Sequence, residues 1–252
     1  MEDGFTFVFV AHAPALVPGD ERGVLAVRAM EQVFPALNLS WTSGDEGQFV
    51  PVTQRDAWIA RELRAGGITL LCNGDDAFLE TLNSYSDLRP LDESASQRPH
   101  YEVHAEWPVE PPGLSVARPV LAVVSEAVRA FWAHVTPNHA AMDIGMQRSP
   151  RAGVTGNPRR GLPLLKHPDK LRAPEVPYHL GWLNYWSDAT ARLLGFPDAT
   201  RDAELLTRSR RTTSGGWLVQ LTDTPLDLDA PAHLDTLLRA YARFPGIGGR
   251  VP

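Results

Sequence analysis

The chain has 252 residues, a formal charge of −6 and 43% hydrophobic residues, enough to bury a core of its own without a metal or disulfide staple. An acidic balance works against nonspecific attraction to nucleic acid. The single cysteine, Cys72, rules out an internal disulfide framework, suits a reducing compartment and reads as a small buried apolar residue. Met1-Glu-Asp-Gly-Phe lacks the basic region of an export signal, and no apolar run approaches the ~20 residues of a membrane span, so the expected setting is cytoplasmic.

In chain order, Phe5-Thr-Phe-Val-Phe-Val10 is β-branched and aromatic, the pattern of a central strand buried on both faces. Asp20 is placed to cap a helix to Phe34, which Pro35 ends. Short strands are expected at Leu39 to Thr42 and, with Pro51 marking an edge, at Phe49 to Val52. Thr53-Gln-Arg-Asp56 resembles a capping box for a helix that stops at Gly66-Gly67. Ile68 to Cys72 is the next strand, and residues 73–99 read as a polar excursion. His100-Tyr-Glu-Val-His-Ala-Glu-Trp107 alternates as a strand with one exposed face. A long helix follows, with Val120, Leu121, Val124, Val128, Phe131 and Trp132 at helical spacing, and Pro137 closes it. Residues 148–177 are rich in Pro and Arg with few apolar anchors, the composition of a loop joining lobes 1–147 and 178–252. Beyond it come a strand from Tyr178 to Trp186, a short helix capped by Ser187 and ended by Gly195, a strand near Glu204 to Arg210, a strand from Trp217 to Thr222, and a terminal helix from Pro231. The expected fold is α+β, with a mixed, mostly antiparallel sheet flanked by helices and two pseudo-similar halves in one compact unit.

Alternate residues of a strand share a face, so His100, Glu102, His104 and Glu106 form a row of ionisable groups. Neighbours in such a row stand about 6.5–7 Å apart, which lets His104 share an ion with Glu102 or Glu106, while His100 and His104, about 13 Å apart, are too distant to do so. Glu102, His104 and Glu106 are the catalytic candidates if the protein is a metal-dependent or acid-base hydrolase. The plainer reading, a solvated face with Tyr101, Val103, Ala105 and Trp107 in the core, is preferred. His134, Asn138, His139 and Asp143 follow the long helix, and histidines near a helix C-terminus are favoured by its dipole without any catalytic role. His12 stands at the end of the first strand. No nucleophile elbow, phosphate loop, dinucleotide fingerprint, HExxH or paired CxxC occurs, so no cofactor or resident metal is expected.

Residues 148–172 hold seven basic groups against Asp169 alone, leaving the rest of the chain at about −12. Arg159, Arg160 and Lys166 in that segment, and Asp75 and Asp76 in an acidic segment running to Glu93, are the candidate partner-binding residues, because complementary charge orients and accelerates association. Arg208, Arg210 and Arg211 beside Trp182, Tyr185 and Trp186 could bind phosphate and stack bases, but the acidic chain argues against nucleic acid. The sequence does not report an oligomeric state.

The phrases His12-Ala-Pro-Ala15, Leu71-Cys-Asn-Gly-Asp75, Glu102-Val-His-Ala-Glu106, Gly181-Trp-Leu-Asn-Tyr-Trp-Ser187 and Leu218-Val-Gln-Leu-Thr-Asp223 resemble those of a family without assigned activity found mainly in myxobacteria. Gly181, Trp182 and Tyr185, followed by Thr222, Asp223, Pro225, Leu226 and Asp227, are more distantly similar to the immunity protein 52 group of polymorphic-toxin immunity proteins. That resemblance implies a noncatalytic cytoplasmic protein that neutralises a cognate toxin by binding it.

Overall fold

The computed structural model describes residues 6–86, 100–148, 160–171 and 173–250. The described residues fall into two units, one carrying 6–86 and 100–130, the other 131–148, 160–171 and 173–250. The protein is α+β, and the strand pairs within each unit are antiparallel among the described residues.

In the first unit β1 (Thr6–Pro14), α1 (Arg22–Val33), β2 (Trp41–Ser43), β3 (Phe49–Pro51), α2 (Arg55–Ala65), β4 (Leu71–Cys72), β5 (Thr81–Ser86), β6 (His100–Pro108) and α3 (Gly113–Ala127) follow in sequence. The strands lie in the order β3, β2, β4, β5, β6, β1. Phe7, Phe9, Ala11 and Ala13 of β1 and Tyr101, Val103, Ala105 and Trp107 of β6 are buried on one face, paired across the ladder. Phe34 meets Trp107 edge-on at 6.4 Å, and the Trp107 indole N–H donates to the Gly113 carbonyl at 3.1 Å, so the ends of α1 and α3 are pinned to this face. The other face of the same two strands carries His12, His100, Glu102 and His104. Cys72 is buried in β4. Burial, resisted by a Gly74 backbone hydrogen bond and aided by the Asp76 charge, pushes its thiol pKa up, the opposite of an activated nucleophile.

Asp20, the expected cap of α1, stands one residue before the N-cap, Glu21, and does a different job. It accepts from the Arg22 backbone N–H at 3.0 Å and from its guanidinium at 2.7–3.0 Å, and Arg22 reaches on to the Val128 carbonyl at the end of α3 at 3.1 Å. Burial works to raise the Asp20 pKa, and the hydrogen bonds and charge of Arg22 outweigh it, so the carboxyl titrates below its ordinary range. A depressed carboxyl contributes stability above its unfolded pKa and loses it as pH falls through the folded one. Asp20→Asn is therefore expected to cost about 2–3 kcal/mol at neutral pH, with the gap to wild type in urea midpoint closing below about pH 4. A gap that persists undiminished into acid would mean that the ion pair is not the source.

The expected capping box at Thr53 is absent. The N-cap of α2 is Gln54, held at φ 49° with no side-chain cap. At the other end, residues 66–68 run beside β5. Ser86 N–H donates to Gly66 O and Ser84 N–H to Ile68 O, both at 2.8 Å. A Cβ at Gly67, whose φ is 147°, would lie 2.0 Å from the Ser84 carbonyl oxygen.

In the second unit β7 (Trp132–Pro137), α4 (Asn138–Met146), β8 (Leu183–Trp186), α5 (Asp188–Leu194), α6 (Ala203–Arg208), β9 (Arg210–Arg211), β10 (Trp217–Gln220) and α7 (Pro231–Arg243) follow in sequence. Its strands lie in the order β7, β8, β10, β9. Trp186 meets Phe196 at 5.2 Å and Phe244 at 5.0 Å, both edge-on. The Ser187 hydroxyl caps α5 by accepting from Thr190 N–H, and Gly195 ends it at φ 65°, as the sequence predicts.

Three expectations change here. Phe131 and Trp132 do not extend the long helix. That helix stops at Ala127, Arg129 turns the chain at φ 55°, and Trp132 opens a strand whose every residue is buried. The strand expected at Glu204 to Arg210 is mainly helix α6, with only Arg210–Arg211 paired to β10. In the segment expected to be a poorly anchored loop, Leu162, Leu165 and Leu171 are buried, and Leu165 N–H donates to Gln147 O at 3.0 Å. Among the described residues no helix is long and apolar enough to cross a membrane.

Candidate functional site

The polar face of β6 gathers its side chains around one carboxylate. His12 stands directly opposite Glu102 in the register of β1 with β6, and its Nδ1 lies 3.2 Å from Glu102 Oε2. His100 Nε2 is 3.4 Å from the same oxygen, and His104 Nε2 contacts the second oxygen, Oε1. The His12 and His100 rings stack with centroids 5.5 Å apart and planes at 27°. His12 and His100 are buried, whereas the Glu102 side chain keeps 23% of its surface exposed. Burial acts to raise the Glu102 pKa. Hydrogen bonds from His100 and His104 and the charges of His12 and His104 overcome it and hold the carboxyl well below the usual range.

The sequence-predicted trio of Glu102, His104 and Glu106 is thus brought together only in part. Glu106 is exposed at the far end of the row, opposite Val8 and Thr81, and the described contacts of Glu102 go to histidines. His100, too far along the strand to meet His104 directly, shares Glu102 with it. His12 was visible as a strand-end histidine, but its meeting with Glu102 depends on a register between segments distant in sequence.

The acidic candidates lie in the connection from β4 to β5, which is built rather than loose. Asn73 donates from Nδ2 to the Phe78 carbonyl at 2.7 Å and accepts at Oδ1 from Asp75 N–H at 3.2 Å and Glu80 N–H at 3.3 Å. Asp75 in turn accepts from Ala77 N–H at 2.9 Å, an Asx-type turn. Gly74, at φ 77°, lies so close to the Trp41 ring that a Cβ would stand 2.7 Å from it. The loop thereby presents Asp75, Asp76 and Phe78 outward, with Phe78 63% exposed. Burial, then the nearby Asp75 charge, raises the pKa of Glu80 at its base, against an opposing hydrogen bond from Asn73.

The basic candidates divide differently. Arg159 lies outside the described residues, as does the acidic segment beyond Ser86. Arg160 is engaged within its own unit: it donates to Asp143 at 2.8 Å, Asp229 at 2.6 Å and the Leu228 carbonyl at 2.9 Å. The hydrogen bond to Asp229, opposed by desolvation and aided by the charge of Asp143, raises its pKa. Lys166 is exposed. Asp143, on α4, pairs with Arg160. His134 is on β7 and not at a helix end; its Nε2 is 2.9 Å from His179 Nε2 and its Nδ1 3.1 Å from Thr136 Oγ1. Trp182, Tyr185 and Trp186 are buried, so they are not available to stack bases, and the nucleic-acid reading loses its aromatic platform.

The α+β fold and these sites place the chain among known proteins in one respect. Residues 18–252 match the family described as domain of unknown function DUF5953, and the chain belongs to that family. No curated protein matches the chain. Among solved structures it is similar to the Pseudomonas aeruginosa T6SS protein PA0821, with a TM-score of 0.57 and 14% identity over 96% of this chain and 73% of that one, a likeness of fold.

Proposed function

We propose that this protein is a noncatalytic binding protein that neutralises a cognate toxin, and that it engages the toxin through the loop between β4 and β5. The observation that carries the reading is the organised presentation of Phe78 beside two outward carboxylates, on a loop fixed by Asn73 and seated on Trp41. A rigid, exposed aromatic costs little entropy to bury and makes an interface anchor. Asp75 and Asp76 beside it select a basic rim on the partner and speed encounter. The fold likeness to a T6SS protein supports the same setting, and the cytoplasm is where a toxin reaching its own producer would be met.

Co-expression with the toxin encoded beside its gene is expected to rescue growth, and the purified pair is expected to bind. Phe78→Ala should weaken that binding by roughly 30-fold or more, while Asp75→Lys with Asp76→Lys should slow association about tenfold at low salt and less at high salt. A host that dies with both proteins present, or a Phe78→Ala variant that binds as wild type does, would respectively sink the neutralising role and the assignment of the loop.

A further inference from the structure

We infer that His12, His100 and Glu102 form a binding site for one first-row divalent transition-metal ion of zinc-like preference, with His104 as the group that orients the carboxylate. Two imidazole nitrogens, His12 Nδ1 and His100 Nε2, converge on the single oxygen Glu102 Oε2 at 3.2 and 3.4 Å, and all three ligand atoms lie within 4.8 Å of one another. A tetrahedral ion with bonds of about 2.0–2.1 Å separates its ligand atoms by roughly 3.3–3.4 Å. Both edges that meet at Glu102 therefore already have the length of a coordination polyhedron. The His100 hydrogen bond to this oxygen, at 3.4 Å, is longer than the ordinary range of about 2.7–3.2 Å.

The donor set sets the metal class. Two imidazoles and one carboxylate suit zinc and its first-row neighbours, whereas calcium and magnesium require oxygen ligands. The three groups also stand on rigid elements, since His12 and Glu102 face each other across the β1 with β6 ladder and His100 follows at the alternate position. His104 on Glu102 Oε1 supplies the outer contact that usually fixes a ligating carboxylate. Three protein ligands leave a position for water or an outside group, on the side where Glu102 keeps its exposure. None of these residues belongs to the loop at 73–80, so the metal site and the toxin-binding role stand or fall separately.

The probe is Zn²⁺ titrated into untagged, EDTA-treated full-length protein against a chromogenic chelator, with Co²⁺ as the spectroscopic substitute. The expected result is one ion per chain at micromolar affinity or better, with Co²⁺ giving the visible absorption of a low-coordinate nitrogen and oxygen site. His12→Gln, His100→Gln and Glu102→Gln should each weaken binding more than tenfold, His104→Gln by roughly tenfold, and His139→Gln, at an exposed position on α4, should leave it unchanged. Wild-type protein that takes up no Zn²⁺ at micromolar concentration overturns the site without recourse to any variant. Binding that survives substitution of all three ligands overturns it as well.

Discussion

Arg243→Met is expected to destabilise the protein by about 3–5 kcal/mol, measured as a lower urea midpoint at unchanged slope. Arg243 closes α7 and donates to both oxygens of Asp202, at 2.6 and 2.9 Å, and to the Gly195 carbonyl at 2.7 Å. The Asp202 side chain is fully buried, and its second oxygen also accepts from Asp198 N–H at 2.7 Å. Methionine fills much of the arginine stem's space, so what is lost is the charge, and Asp202 is left as a buried carboxylate short of its counter-ion. Adding Asp202→Asn to Arg243→Met should recover part of the loss, because the amide keeps a hydrogen-bonding oxygen without the charge. A single-variant cost below about 1 kcal/mol would place this pair with solvated surface bridges.

Trp107→Ala is the second large effect, again about 3–5 kcal/mol, and acts in the other unit. Trp107 is fully buried at the end of β6, tilted against Phe7 at 5.9 Å and edge-on to Phe34 at 6.4 Å. Its indole also anchors the first turn of α3 through Gly113. Alanine removes the ring contacts and leaves the Gly113 carbonyl without that donor. Trp107→Phe, which keeps most of the ring volume but not the N–H, should retain over half of the lost stability. If it costs as much as alanine, the hydrogen bond and not the packing dominates.

These costs follow patterns partly legible in the sequence. Alternation along β6 put Trp107, Ala105, Val103 and Tyr101 on the core face, and Ser187, Gly195 and Pro231 marked helix ends by their own chemistry. The end of the long helix is not legible because Val124, Val128, Phe131 and Trp132 keep apolar spacing through a turn that has no glycine or proline, only Arg129 at positive φ. Glu204 to Arg208 is a run too short for periodicity to separate helix from strand. The tryptophan-rich stretch served as framework. Gly181 is required because a Cβ there would stand 2.4 Å from Thr136 Oγ1, and Trp182 donates to the Thr222 carbonyl at 2.9 Å. The polar site was only half visible: the row on β6 is local, but His12 joins it through strand pairing, which no spacing rule conveys. The loop at Asn73 was readable as acidic; its rigidity comes from Asn73 and the Trp41 ring, which composition does not show.

The glycine-mediated contact beside β5 bears on how any partner could be mapped. Because residues 66–68 lie against that strand as a continuation of its pairing, the Ser84 and Ser86 amides should exchange hydrogen slowly, at rates set by global opening. The amides of Asp75, Ala77 and Phe78 are held by side chains of their own loop, Asn73 and Asp75, and should exchange within a far shorter time. A bound partner would therefore leave its footprint on those few fast amides, against a neighbouring strand that is already dark.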